Sequence, residues 1–214
     1  MNDSAKADAM LASLGAPRES DWMVIGPFDA PVDAPEDPFP DTPPSELLTD
    51  LTAVHMGIMG KEIQWESWED GWPMDGRLRI CIVFHKRYWP TVQYPEFPES
   101  EPYISFEPPS VAYSCIYVEV PAAMEVQVRT GAGRIRIWLN DNPSPVMEEN
   151  SVWVAVPDIE INSVSLKAGL NRFLVATAFG SGVAFDFTFR ITDPDGNAIP
   201  GLKYVSARDV LASH

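Results

Sequence analysis

Cysteine, histidine and positive charge are all scarce in this chain. Its 214 residues include 2 Cys and 3 His, and 15 Lys and Arg stand against 31 Asp and Glu, for a formal net charge of −16. His55, His85 and His214 have no Cys, Asp or Glu at the spacing of a zinc site. The charge argues against nucleic acid or an anionic membrane as a partner, by simple repulsion. No apolar run approaches the roughly 20 residues that cross a bilayer as a helix. The first residues, Met1-Asn-Asp-Ser-Ala-Lys6, have no basic start and no apolar core, so they are not expected to act as a signal peptide. The expectation is a cytoplasmic protein if the chain is whole, or an extracellular or periplasmic domain if it is cut from a longer one. Neither a Gly-x-Ser-x-Gly elbow nor a phosphate-cradling Gly-x-x-x-x-Gly-Lys loop occurs. Nothing singles out a pair of carboxylates at glycosidase distance. A non-catalytic protein is therefore expected.

Proline, glycine and short apolar segments are plentiful. The chain holds 21 Pro and 13 Gly, with 45% hydrophobic and 21% charged residues. That composition is globular, and it favours many strands and loops over long helices. One helix is expected over 3–14, with Met10, Leu11 and Leu14 on one face, ended by Gly15 and Pro17. It either packs on the domain or belongs to something upstream. Residues 21–28 read as a short strand. The following loop, 29–44, carries Asp29, Asp33, Glu36, Asp37 and Asp41. Oxygen-rich loops can hold Ca²⁺, yet the Gly-pivoted spacing of an EF-hand is missing, so a solvated loop is expected. No cofactor is implied, and a structural Ca²⁺ is left open.

Residues 45–59 fit a helical face through Leu47, Leu48, Leu51, Val54, His55 and Ile58, but Gly57 and Gly60 weaken that reading. Residues 62–68 and 77–84 read as strands. In 85–100, Tyr88, Trp89, Tyr94 and Phe97 are spaced by prolines. Such rings either anchor a long loop to its own domain or offer a stiff contact surface. Regular alternation then begins. Strands are expected over 111–120, 124–129, 134–139, 152–156, 161–166, 172–178 and 183–191. In 134–140, Ile135, Ile137 and Leu139 share one face, and Arg134, Arg136 and Trp138 the other. The Thr130-Gly-Ala-Gly133 step between two of these strands predicts an antiparallel hairpin. Trp138 either packs under a loop or second sheet, or forms a platform for a ligand. Cys81 and Cys115 fall in expected strands, as two buried thiols or, if those strands are neighbours, a disulfide. Many short strands at this spacing predict an all-β, antiparallel sandwich of the jelly-roll kind with a short N-terminal helix. Residues 1–20 would be helix and linker, 21–208 one sandwich domain, and 209–214 a tail.

Several motifs occur in a consistent order. They are Trp22 to Phe28 (Trp-x-x-x-Gly-Pro-Phe), Pro43-Pro-Ser-Glu46, Gly60 to Trp65 with Asp70-Gly71, Ile137-Trp-Leu-Asn140, Leu166 to Asn171 (Leu-Lys-x-Gly-x-Asn), and Phe185 to Gly196 followed by Pro200-Gly-Leu202. Taken together, the chain after Asp21 resembles bacterial accessory β-sandwich modules of the galactose-binding-like and carbohydrate-binding-module kind, found in secreted multidomain proteins. Two departures stand out. Asp141 occupies the place after the strand-end Asn where that family usually has Gly, and 88–101 looks like an insertion. The resemblance also argues against a helix over 45–59. It implies a non-catalytic module whose partner is carbohydrate or, alternatively, a neighbouring protein domain or subunit. For a sugar site the candidate rings are Tyr88, Trp89, Tyr94, Trp138 and Trp153, and the candidate polar partners are Arg136 and Asn140.

Overall fold

The computed structural model describes residues 3–30, 37–67, 77–79, 110–132, 134–149, 157–179 and 186–212. In chain order these form α1 (Asp3–Leu14), β1 (Met23–Asp29), α2 (Ser45–Thr49), β2 (His55–Met56), β3 (Glu62–Ile63), β4 (Glu66–Ser67) and β5 (Arg77–Arg79). Next come β6 (Ser110–Val120), β7 (Met124–Ala132), β8 (Ile135–Leu139), β9 (Met147–Glu149) and β10 (Glu160–Leu166). The chain continues with β11 (Gly169–Phe179), β12 (Asp186–Thr192), β13 (Lys203–Val205) and α3 (Ala207–Ala212).

Among the described residues the strands form a seven-stranded sheet in the order β4-β1-β6-β11-β8-β9, with β13 also on β6, and a four-stranded sheet, β10-β7-β12-β5. Every pairing between the described strands is antiparallel. The two sheets enclose Val24, Ile116, Val118, Val126, Val128, Ile135, Ile137 and Val175. Trp22 is the hub of this interior, meeting Phe187 and Phe189 edge-on with ring centroids 5.3 Å apart in each case. Edge-to-face contact suits the ring quadrupoles and adds to simple burial. The fold is thus an all-β antiparallel sandwich with a short N-terminal helix.

A second apolar cluster lies on the outer face of the larger sheet. Met23, Ile25, Tyr113, Cys115, Trp138, Leu174 and Ala176 are covered there by Phe39, Leu47, Leu51 and Trp65. Trp65 pins this cover, its indole N–H donating to the Leu47 carbonyl at 2.7 Å. Ala207 of α3 joins the same cluster.

Three sequence expectations change. The hairpin across 130–133 does not form: β7 pairs with β10 and β12, whereas β8 pairs with β11 and β9 in the other sheet. Val126 and Val128 on β7 and Ile135 and Ile137 on β8 do face one interior, but from opposite walls. Alternation reports which face is apolar and not which sheet supplies it. Within 45–59, Ser45–Thr49 is α-helical, a 3-10 turn starts at Ile58, and His55–Met56 pairs with Glu62–Ile63. A Cβ at Gly57 would lie 2.9 Å from the Pro27 carbonyl oxygen and 2.9 Å from Ile63, so the chain there approaches backbone too closely for a side chain. Finally, the strand expected over 62–68 is two short strands, Glu62–Ile63 and Glu66–Ser67, with Trp68 outside the described residues. The strand expected over 152–156 lies outside the described residues, as do Val183 and Phe185 of the one expected over 183–191, whose remainder forms β12.

Helix α1 is fastened to the sandwich at its C-terminus. Gly15 donates to the Ala12 carbonyl and Ala16 to the Leu11 carbonyl, a Schellman close with Gly15 at φ 68°. The Gly15 carbonyl accepts from the Ile191 amide at 3.0 Å and from the Tyr204 hydroxyl at 2.6 Å. Arg190 adds a bond to the Leu14 carbonyl at 3.1 Å. A Cβ at position 15 would stand 2.5 Å from the Ile191 oxygen. Replacing Gly15 with Ala combines that clash with a left-handed φ. It should cost about 1–3 kcal/mol, read as a lower thermal midpoint.

Asp158 ties Arg190 and Arg129 together. Its Oδ1 accepts from Arg190 Nε at 2.8 Å, its Oδ2 meets Arg190 Nη2, and Arg129 Nη1 lies 3.5 Å away. The hydrogen bond from Arg190 is the main cause that holds this carboxyl below the usual range, with the charges of Arg190 and Arg129 adding to it. A lowered folded value stabilises the protein above the unfolded value of about 3.9. That contribution is lost as pH falls through the lowered value. Asn tolerates the φ of 61° at this position. Asp158→Asn should therefore lower the thermal midpoint at neutral pH. The difference from the parent should shrink below about pH 4, as followed by circular dichroism melts across pH.

Candidate functional site

Strand β8 ends in a tight turn. Asn142 donates to the Leu139 carbonyl at 3.1 Å, and the central residues Asn140 and Asp141 have φ of 52° and 61°. Two successive positive φ values make this a type I′ turn, for which Asn-Gly is the favoured pair. Asn140 suits its place and is used there. Its side chain donates to Asn171 Oδ1 at 2.9 Å and accepts from the Arg172 amide at 2.9 Å. Asn171 is fully buried and knits the β10–β11 turn through the Lys167 amide and the Lys167 and Gly169 carbonyls. The Leu166-to-Asn171 motif is thereby explained as turn chemistry.

Asp141 is a different case, because Gly would fit its backbone with less strain. Its carboxylate is two-thirds exposed and forms an ion pair with Arg172 of β11. This pair forms one wall of a cleft of about 420 Å³. The opposite wall is Thr42, Pro43, Ser45, Leu48 and Thr49, from α2 and the segment before it, with Pro143 at the rim. Three hydroxyls, a carboxylate and a guanidinium therefore line one concavity beside small apolar surfaces. Asp141 is the one carboxylate in this described lining.

The residues nominated from sequence fall in three groups. Arg136 is engaged within the fold: it donates to the Pro40 carbonyl at 2.8 Å, forms ion pairs with Asp37 at 2.9 Å and Glu148 at 2.7 Å, and lies over the Phe39 ring at 5.5 Å. Trp138 packs under the loop, only 1% exposed among the outer cluster, and presents no ring face to a ligand. Both stand on the outward face of β8, where they hold the covering segment down. Asn140 adjoins the cleft through its neighbour Asp141. Tyr88, Trp89, Tyr94 and Trp153 lie outside the described residues, as does Cys81. Cys115 is a free thiol, and burial pushes it up to about 12, which keeps it protonated and inert. Among the described residues no group of three or more His, Cys, Asp or Glu could hold a metal ion.

Arg172, Thr42, Ser45, Leu48 and Thr49 were not nominated from sequence. The available signal was Asp141, the charged residue standing where the resembling modules have Gly.

Arg136 should carry stability rather than recognition. Truncation to Ala removes the strap that fixes 37–40 to β8, and its partners Asp37 and Glu148 are about half exposed. The expected cost is about 1–3 kcal/mol. Limited proteolysis should show faster cleavage within 37–51.

The sequence matches no family model and no curated protein.

Proposed function

We propose that this chain is a non-catalytic β-sandwich binding module whose ligand is carbohydrate, held in the cleft between α2 and the Asn140–Asp141 turn. One observation carries the reading: Asp141 keeps a left-handed backbone that Gly would adopt at less cost, and commits its carboxylate to that cleft with Arg172. Strain of this sort is retained where a side chain has work to do. A carboxylate and a guanidinium fixed side by side offer acceptors and donors to adjacent sugar hydroxyls. Thr42 and Ser45 add hydroxyls that serve in either role, and Thr49, whose hydroxyl donates to the Ser45 carbonyl at 2.9 Å, adds an acceptor, while Leu48, Pro43 and Pro143 offer apolar surface to ring C–H groups. The cleft volume suits a short saccharide. A glycosidase would need two carboxyl groups flanking the bond, and the described lining supplies one, already paired.

A second reading has a specific observation behind it. Met10 and Leu14 of α1 are 46% and 40% exposed, an apolar strip that a neighbouring domain or subunit would cover.

The test separates recognition from folding. Asp141→Gly relieves the backbone while removing the ion pair, whose surface worth is about 0–1 kcal/mol. The thermal midpoint should hold or rise. Binding to the retained polysaccharides, read by affinity electrophoresis and calorimetry over a panel of soluble and insoluble glycans, should fall at least about tenfold, the equivalent of 1.4 kcal/mol. Trp89→Ala run alongside reports on the 85–100 segment. A parent protein that binds no glycan refutes the carbohydrate reading and favours the neighbouring-domain one.

A further inference from the structure

We infer that the glycan taken by the Asp141–Arg172 cleft is an uncharged one. The inference rests on the carbohydrate reading and concerns the class of sugar.

Charge in the cleft is balanced. Arg172 is the sole cation in the described lining, and Asp141 already occupies it. A uronate or sulfate would have to displace the Asp141 carboxylate, and that carboxylate would remain beside it as a like charge. An uncharged polyol needs no such exchange. It donates to the free lone pairs of Asp141 and accepts from Arg172 with the pair intact.

The surroundings push the same way. The wall opposite the ion pair comes from a stretch with no counter-charge: residues 19–60 contain no Lys or Arg. Asp41, Glu46 and Asp50 flank Thr42, Ser45 and Thr49 in sequence, and all three acids are exposed. They lie within one or two residues of the cleft lining, well inside the Debye length of about 8 Å at physiological salt. A polyanion would meet this edge together with the −16 of the whole chain.

The experiment is calorimetric titration of the full chain with neutral glycans (glucans, mannans, unsubstituted xylan, galactan), polyuronates, sulfated polymers and a cationic glucosamine polymer, each at low and high salt. The expected result is binding confined to a neutral polymer. Its dissociation constant should change by less than about twofold between roughly 0.05 and 0.5 M salt, since no net charge is neutralised on binding. Binding to a polyuronate or sulfated polymer as tightly as to any neutral one overturns the inference and leaves the carbohydrate reading standing. So does preference for the cationic polymer with affinity that collapses in salt. Binding to no polymer at all overturns both together.

Discussion

Strands β6 and β11 face each other across an unbroken antiparallel register, from Gly169 opposite Val120 to Phe179 opposite Ser110. Both are apolar on both faces. On β6, Ala112, Ile116 and Val118 feed the interior of the sandwich, while Val111, Tyr113 and Cys115 feed the outer cluster. On β11, Phe173 and Val175 face in, and Leu174, Ala176 and Ala178 face out. A slip of one residue would exchange the two sets at every position. The register between these strands therefore fixes two cores at once. An apolar outer face also cannot be left in water, so it calls for a cover, and 37–51 with Trp65 supplies it.

The cover is what creates the cleft. Arg136 straps its beginning to β8, and Trp65 holds the Leu47 carbonyl of α2. α2 is thereby set against the end of β8, where the chain turns through Asn140 and Asp141. The Asn140–Asn171 bond locks that turn to the start of β11, which brings Arg172 beside Asp141. The groups proposed for recognition then stand on elements anchored by the core and not on a free loop, an arrangement that would lower the ordering cost of binding. The aromatic and guanidinium groups of β8 serve this positioning. Their residue types suggested a sugar platform, and their burial gives them the prior task of holding the cover.

Several elements were legible from residues alone. The helix over 3–14 and its stop at Gly15 match α1 and its Schellman close, because capping and glycine geometry are local. The alternation of 134–140 marks β8, and Asp193-Pro-Asp-Gly-Asn197 is a turn held by the Asp193 carboxylate, which accepts from the Asp195 and Asn197 amides. The supposed hairpin at 130–133 shows the limit of such reading. Its two strands have the right faces and the wrong partners, since a crossover between sheets and a hairpin leave the same pattern in the chain.

The sequence by itself determined the class of the fold, the strand periods, the turn chemistry and the acidic charge. Each of these is a local or additive property. Only the tertiary structure decided that β7 and β8 lie in opposite sheets, that Trp138 and Arg136 face a covering segment, and that Asp141 meets Arg172 across from Thr42 and Thr49. Those meetings depend on which strands become neighbours, and that choice is made by burying two cores together rather than by any residue's own preference.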